Sequence, residues 1–116
     1  MGVDDELARA VELHQAGDIL AAGTSYREIL AKDPDHVDAL NLLGVVMHAT
    51  GDLELAVELI SRATELAPDY GPALINLGNA LQAAGQPDDA VKKFERALEL
   101  DPSAGIAASN LASALN

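Results

Sequence analysis

The sequence lacks cysteine and tryptophan altogether, and aromatic residues make up only 3% of its 116 positions. Without a thiol, the chain has no disulfide framework, no thiol nucleophile and no cysteine-ligated zinc or iron–sulfur cluster. Hydrophobic residues nevertheless account for 49% of the sequence, which is enough for a buried core. That core must therefore be built mainly from Ala, Leu, Val and Ile.

Positive charge is also scarce, with seven Lys and Arg residues against 19 Asp and Glu and a net charge of -12. A surface this acidic disfavours DNA, RNA and anionic lipid, so we expect no nucleic acid and no membrane among the partners. No apolar run approaches the roughly 20 residues of a membrane-spanning helix. The segment Met1–Glu6 is acidic where an export signal is basic and then apolar, which predicts a cytoplasmic protein.

The sequence does contain a regular internal repeat. Gly17, Gly51 and Gly85 recur every 34 residues, three prolines recur at the same interval, and small and large apolar residues keep the same register. We predict one domain of three full units, residues 3–36, 37–70 and 71–104, followed by a partial unit, residues 105–116.

Each full unit is predicted to form two antiparallel α-helices. In the second unit Leu40 and Leu43 follow helical spacing, and Gly51 supplies the left-handed backbone that ends a helix. Asp52, like Asp18 in the first unit, stands where an N-cap carboxylate accepts the free amides of the next helix. The proline after each second helix ends it. No segment has the alternation of a β-strand, so the predicted fold is all-α.

The pattern resembles the tetratricopeptide repeat family, whose helix–turn–helix repeat has the form W-x-x-L-G-x-x-Y, then A-x-x-x-F, then P. The third unit matches best, reading Leu74-x-x-Leu77-Gly78-x-x-Leu81, Ala90-x-x-x-Phe94 and Pro102. The first unit departs from it at Glu6 and Arg9, which we interpret as the polar end of a stack. The resemblance implies an α-α superhelix, a solenoid of antiparallel helix pairs whose first helices line a concave surface, here called the groove.

Helical geometry selects the side chains that face this groove. The predicted groove residues are Leu7, Val11, His14, Asn41, Leu42, Val45, His48, Tyr70, Ile75, Asn76, Asn79, Gln82, Ser109, Asn110 and Ser113. None of them is Lys or Arg. Tetratricopeptide domains that bind the acidic C-termini of heat-shock chaperones hold the terminal carboxylate with cationic side chains. We therefore predict no such clamp, and a protein or peptide partner that is basic or neutral.

Asparagines give the groove its most specific feature. Asn76 and Asn110 occupy the same position of successive units, and Asn79 lies one turn beyond Asn76. An asparagine amide both donates and accepts, so it can bind the backbone of an extended peptide of any sequence. The arrangement is similar to the asparagine ladder of O-GlcNAc transferases, although Ala8 and Leu42 interrupt it. Two plainer interpretations stay open: the asparagines solvate the helix face, and the apolar groove residues pack between repeats.

The three histidines do not form a predicted metal site. His14 and His48 hold equivalent positions in adjacent units, which we expect to lie on the order of 20 Å apart, too far for shared zinc ligation. His36 lies in an aspartate-rich turn that suits capping of the next helix. Protonation of the two groove histidines predicts binding that depends on pH between about 5 and 7. Hydrolase, phosphate-loop and zinc-protease motifs are absent, so we predict no enzyme, no metal and no cofactor.

These features predict a protein-interaction module that binds a peptide segment of its partner in the groove. One alternative is a self-assembling scaffold, because Leu111 and Leu115 lack the cover of a second helix and would favour a homo-oligomer through the C-terminal end. The other alternative is the non-catalytic tetratricopeptide part of a larger enzyme. The identity of the partner cannot be read from the sequence.

Overall fold

The computed structural model describes residues 2–116, and within them it contains seven α-helices and no β-strand. The helices are α1 (Val3–Gln15), α2 (Ile19–Lys32), α3 (Val37–Thr50), α4 (Leu53–Leu66), α5 (Gly71–Ala83), α6 (Pro87–Leu100) and α7 (Gly105–Leu115). Short turns join them into the hairpins α1–α2, α3–α4 and α5–α6, and α7 packs on α6. The predicted all-α fold of paired helices is therefore confirmed. None of the described helices is long and apolar enough to cross a bilayer.

The ends of the helices follow from a few residues. Gly17, Gly51 and Gly85 have φ angles of +87°, +94° and +81°, which glycine adopts without a Cβ clash. Asp52 accepts a hydrogen bond at 3.2 Å from the amide three residues later, as predicted for an N-cap. Asp18 holds the N-cap position of α2 but makes no side-chain cap bond, so that part of the prediction is wrong. Its carboxylate still complements the partial positive charge at the start of α2.

One large side chain fills the centre of each hairpin. Tyr26, Ile60 and Phe94 occupy equivalent positions and are all fully buried. In the second and third hairpins they pack against a glycine of the facing helix. A Cβ atom at Gly44 would lie 2.2 Å from Ile60 Cγ1, and one at Gly78 would lie 2.4 Å from Phe94 Cε1. The missing methyl groups therefore let the paired helices approach closely.

The hairpins stack into an elongated body measuring 44 × 26 × 23 Å. Helix α3 contacts α5, and α5 contacts α7, whereas the second helices α2, α4 and α6 make no comparable contact with each other within residues 2–116. Because the repeats are closer together on the first-helix side, that side is concave. Helices α3 and α5 are direct neighbours, closer than the roughly 20 Å expected between equivalent first-helix residues.

Candidate functional site

The groove is lined by α1, α3, α5 and α7, and its asparagines pair across neighbouring helices. Asn76 Nδ2 on α5 donates to Asn41 Oδ1 on α3 at 3.0 Å. Asn110 Nδ2 on α7 donates to Asn79 Oδ1 on α5 at 2.8 Å. Each donating amide keeps its own carbonyl oxygen and a second N–H for another partner. The sequence placed Asn76, Asn79 and Asn110 in one region but did not predict that they pair between repeats.

Asn41 lies deeper than the sequence predicted. It is only 3% exposed, whereas Asn76 is half-buried. No fully shielded side-chain nitrogen or oxygen within residues 2–116 lacks a hydrogen-bond partner. Asn41 is buried where α5 packs on α3, and it does not form an open part of the groove. Its side-chain oxygen accepts the hydrogen bond that orients Asn76.

The apolar groove residues are of two kinds. Leu7, Leu42 and Ile75 are partly buried and pack against the core, so they join neighbouring helices as the plainer interpretation proposed. Val11 and Val45 are half-buried at equivalent positions of α1 and α3, where α5 carries an asparagine. The groove therefore changes along its length, from aliphatic side chains on α1 and α3 to amides and hydroxyls on α5 and α7.

Hydroxyl and amide groups continue to the end formed by α7. Ser109 and Ser113 are exposed on α7. Gln82 Nε2 on α5 donates to Ser113 Oγ at 3.2 Å, so this pair repeats the cross-helix contact of the asparagines one turn further along. Together with Asn110, these groups form a polar surface without charge.

Two of the three histidines make contacts that stabilise the fold. His14 Nδ1 lies 3.0 Å from the hydroxyl of Tyr26, and the two rings meet edge to face with centroids 6.0 Å apart. Burial raises the pKa of Tyr26. Since a buried hydroxyl needs a hydrogen-bond partner, the contact with His14 satisfies the Tyr26 hydroxyl. His36 Nδ1 accepts a bond at 3.1 Å from the amide three residues later and caps α3, as expected. His48 is half-buried in the groove. No group of three potential metal ligands occurs in the part of the chain that the structure describes.

Tyr70 joins two repeats at the edge of the groove. It immediately precedes α5, and its hydroxyl donates to Asp38 Oδ1 on α3 at 3.1 Å. Burial is the main cause that raises the pKa of Tyr70, and the hydrogen bond to the Asp38 carboxylate and its negative charge raise it further. The ring also packs against the core. Tyr70 is therefore held in place where two repeats meet.

Two ion pairs join an arginine of a second helix to an aspartate in the loop that precedes its repeat. Arg62 pairs with Asp35, and Arg96 pairs with Asp69 at 2.7 Å, so the same contact recurs one repeat later. A lysine–glutamate pair links α2 to α1. The side chains of Arg62 and Asp35 are more than half exposed, which limits what each pair adds to stability. The predicted groove residues include no Lys or Arg, and the Asp38 carboxylate lies beside Tyr70.

Stacked helical hairpins with one helix of each pair on a concave side define the class of α-helical solenoid proteins. A tetratricopeptide repeat family profile matches residues 35–103, more than half of the sequence. The chain belongs to the tetratricopeptide repeat family. No curated protein matches its sequence.

Solved structures resemble the whole chain. A mutant O-GlcNAc transferase of Thermobaculum terrenum is 36% identical with a TM-score of 0.94, and the match covers 97% of this chain and 22% of the transferase. The chain thus corresponds to about a fifth of that enzyme's length. The first tetratricopeptide domain of Spaghetti (RPAP3), bound to the HSP90 peptide SRMEEVD, is 20% identical with a TM-score of 0.92, covering 97% of this chain and 90% of that domain.

The second tetratricopeptide domain of human RPAP3, in complex with the HSP70 peptide SGPTIEEVD, is 22% identical with a TM-score of 0.88. The match covers 96% of this chain and 92% of that domain. At this level of identity the two RPAP3 domains establish a common fold.

Proposed function

We propose that the chain is a non-catalytic interaction module that binds an extended peptide segment of a partner protein in its groove. The observation that carries this proposal is the row of cross-helix amide pairs, Asn76 with Asn41 and Asn110 with Asn79. Each pair holds its donor amide in one orientation, so the free carbonyl oxygen and N–H point to a fixed position before any ligand arrives. Such preorganisation lowers the ordering cost of binding. The peptide complexes of the structurally similar RPAP3 domains support the same use of the fold.

The mechanism follows from the two chemical halves of the groove. On α5 and α7 the amides exchange hydrogen bonds with the backbone of the peptide, which gives binding that tolerates different sequences. On α1 and α3 the half-buried Val11 and Val45 contact apolar side chains of the peptide. Three repeats and one extra helix offer a small surface, so the complex is weak and reversible, near the lower end of interface sizes.

Charge decides which partners are disfavoured. With a net charge of -12 and no Lys or Arg among the groove residues, a peptide rich in carboxylates would lose hydration without gaining a counter-charge. Basic or neutral peptides avoid this cost. Attraction between the acidic chain and a basic peptide also speeds association at low salt and is screened beyond about 8 Å at physiological ionic strength.

The amide mechanism is tested by changing the two donors together. We expect Asn76→Leu/Asn110→Leu to lower affinity by about tenfold or more for peptides selected from a random phage-displayed library, because it removes at least two hydrogen bonds of about 1 kcal/mol each. Leucine fits this position of the repeat, since Leu42 occupies it in α3. Because Asn76→Leu also removes the donor to the buried Asn41, urea unfolding of the double variant is measured beside its affinity. Gln86→Ala, which removes an exposed amide at the start of α6 that makes no cap bond, is the matched control. Unchanged affinity in the double variant would rule out backbone binding by these asparagines.

The charge argument has its own probe in the HSP90 peptide SRMEEVD that the Spaghetti domain binds. We expect no measurable binding of this peptide by calorimetry, and the same peptide with both glutamates replaced by lysine should bind more tightly. Tight binding of the acidic form would contradict the proposed preference for basic or neutral partners. Light scattering over a range of protein concentrations tests the alternative of self-assembly, for which the exposed Leu115 is the candidate contact.

A further inference from the structure

The position of Tyr70 in its repeat is occupied by a much smaller residue in the next one. The Tyr70 ring packs against the core, and its hydroxyl reaches Asp38 at the start of α3. Thirty-four residues later, Ala104 stands in place of Tyr70 and Pro72 stands in place of Asp38. The third repeat therefore has no aromatic ring at this position.

The structure has a cavity between these two smaller residues. It measures about 300 Å³, and Pro72, Ile75, Ala97, Leu100 and Ala104 form its apolar wall. Asp69 and Asp101 also line it. Ala104 and Pro72 correspond to Tyr70 and Asp38, so the cavity lies at the position of the repeat where Tyr70 stands one unit earlier. A separate cavity of about 470 Å³ lies beside Tyr70 and has the Tyr70 ring in its wall. In the second repeat the side chain at this position is aromatic.

We propose that this cavity is a subsite for one aromatic side chain of the bound partner. The proposal rests on the proposed peptide-binding function, because Ile75 lines the cavity and the next residue, Asn76, belongs to the groove. A volume of about 300 Å³ is at the lower limit of small-molecule sites, which suits one side chain and not a larger ligand. Large aromatic anchors seated in pockets contribute most of the affinity of many interfaces.

The charges around the cavity restrict what flanks the aromatic residue. Asp69 is paired with Arg96, whereas Asp101 accepts two hydrogen bonds from Ser103 and has no cationic partner within residues 2–116. A carboxylate next to the aromatic residue would be repelled by Asp101, while a neutral or basic neighbour would not. The subsite therefore selects an aromatic residue beside neutral or basic residues.

The direct test uses a probe that needs only the cavity. We expect N-acetyl-phenylalaninamide to cause saturable NMR shifts of the Ile75 and Ala104 methyl groups, and N-acetyl-alaninamide to cause none. Ala104→Tyr fills the cavity from within and should abolish the shifts at Ile75. This variant restores the residue found at position 70, so its urea midpoint should be unchanged or higher. Ala31→Tyr places the same side chain at an exposed position of α2 and should leave the shifts intact.

A second variant keeps the test valid if tyrosine is not accommodated. Leu100 is 36% exposed, so Leu100→Ala should preserve the fold while it weakens binding of the probe by about fivefold through the loss of the apolar wall. Shifts that persist in Ala104→Tyr, or wild-type methyl shifts that do not saturate, would overturn the proposal. Asn76→Leu should leave the response to this single-residue probe unchanged. Failure of the aromatic subsite is thereby separated from failure of amide-mediated peptide binding.

Discussion

Substitution of Gly78 by alanine tests the close approach of the helices within a hairpin. In a solvent-exposed helix this change stabilises by about 1 kcal/mol, because alanine has the higher helix propensity. At Gly78 the new Cβ would lie 2.4, 2.7 and 2.8 Å from three atoms of the Phe94 ring. Phe94 is fully buried in the close-packed interior of the hairpin. The ring or the helix must therefore move.

Forcing an extra methyl group into a packed core costs about 1–3 kcal/mol, and the contact of three ring atoms places Gly78→Ala in the upper part of that range. After the gain in helix propensity is subtracted, we expect a net loss of about 1–2 kcal/mol. Gly23→Ala is the matched control, since its Cβ would meet Val46 Cγ1 at 3.3 Å and no atom closer. The free energy of unfolding of Gly23→Ala should equal that of the wild type or exceed it by up to about 1 kcal/mol.

Urea unfolding followed by circular dichroism measures both changes, and Gly78→Ala should lower the midpoint by about 0.5–1 M. Phe94→Leu removes the clashing ring atoms. The double variant Gly78→Ala/Phe94→Leu should therefore lose less stability than the sum of the single variants, with a coupling of at least about 0.5 kcal/mol. A Gly78→Ala variant as stable as the wild type, or strictly additive effects, would refute the reasoning from steric contact.

Three further predictions concern polar groups. The pKa values of Tyr26 and Tyr70 are raised above 10.0 in the folded chain. The contribution of these tyrosines to stability is therefore complete below pH 10 and is lost as the pH rises through the folded pKa values. The urea midpoint should fall above pH 10, and it should fall less in Tyr70→Phe. Asn41→Ala should cost about 1–2 kcal/mol in urea unfolding, because Asn41 is buried and hydrogen-bonded. Arg62→Met should lower the free energy of unfolding by less than about 1 kcal/mol, because the ion pair of Arg62 with Asp35 is exposed. This difference from the wild type should vanish at high salt.

The repeat register accounts for most of what the sequence predicted correctly about the fold. The glycines at 17, 51 and 85 end three helices, and the capping residues His36 and Asp52 begin two others. These are interactions between residues a few positions apart, so local sequence identifies them. The equivalent buried positions of Ile60 and Phe94 could also be read from the 34-residue spacing. Asp18 marks the limit of this reasoning, because a suitable residue at an N-cap position does not guarantee the hydrogen bond.

The groove required more than periodicity. Which side chains lie open and which support them depends on how closely α3 approaches α5, and that distance results from the packing of whole hairpins. The pairing of Asn76 with Asn41 joins residues that are not at equivalent positions, so no repeat pattern predicts it. For the same reason the exposure of Asn41 was overestimated.

The repeat, the helices and the family depend on local spacing, so they could be predicted from the sequence alone. The orientation of the groove amides, the burial of Asn41 and the cavity beside Ala104 depend on how whole helices pack. These features arise where separate helices meet, and the space left between two helices depends on every side chain that holds them apart.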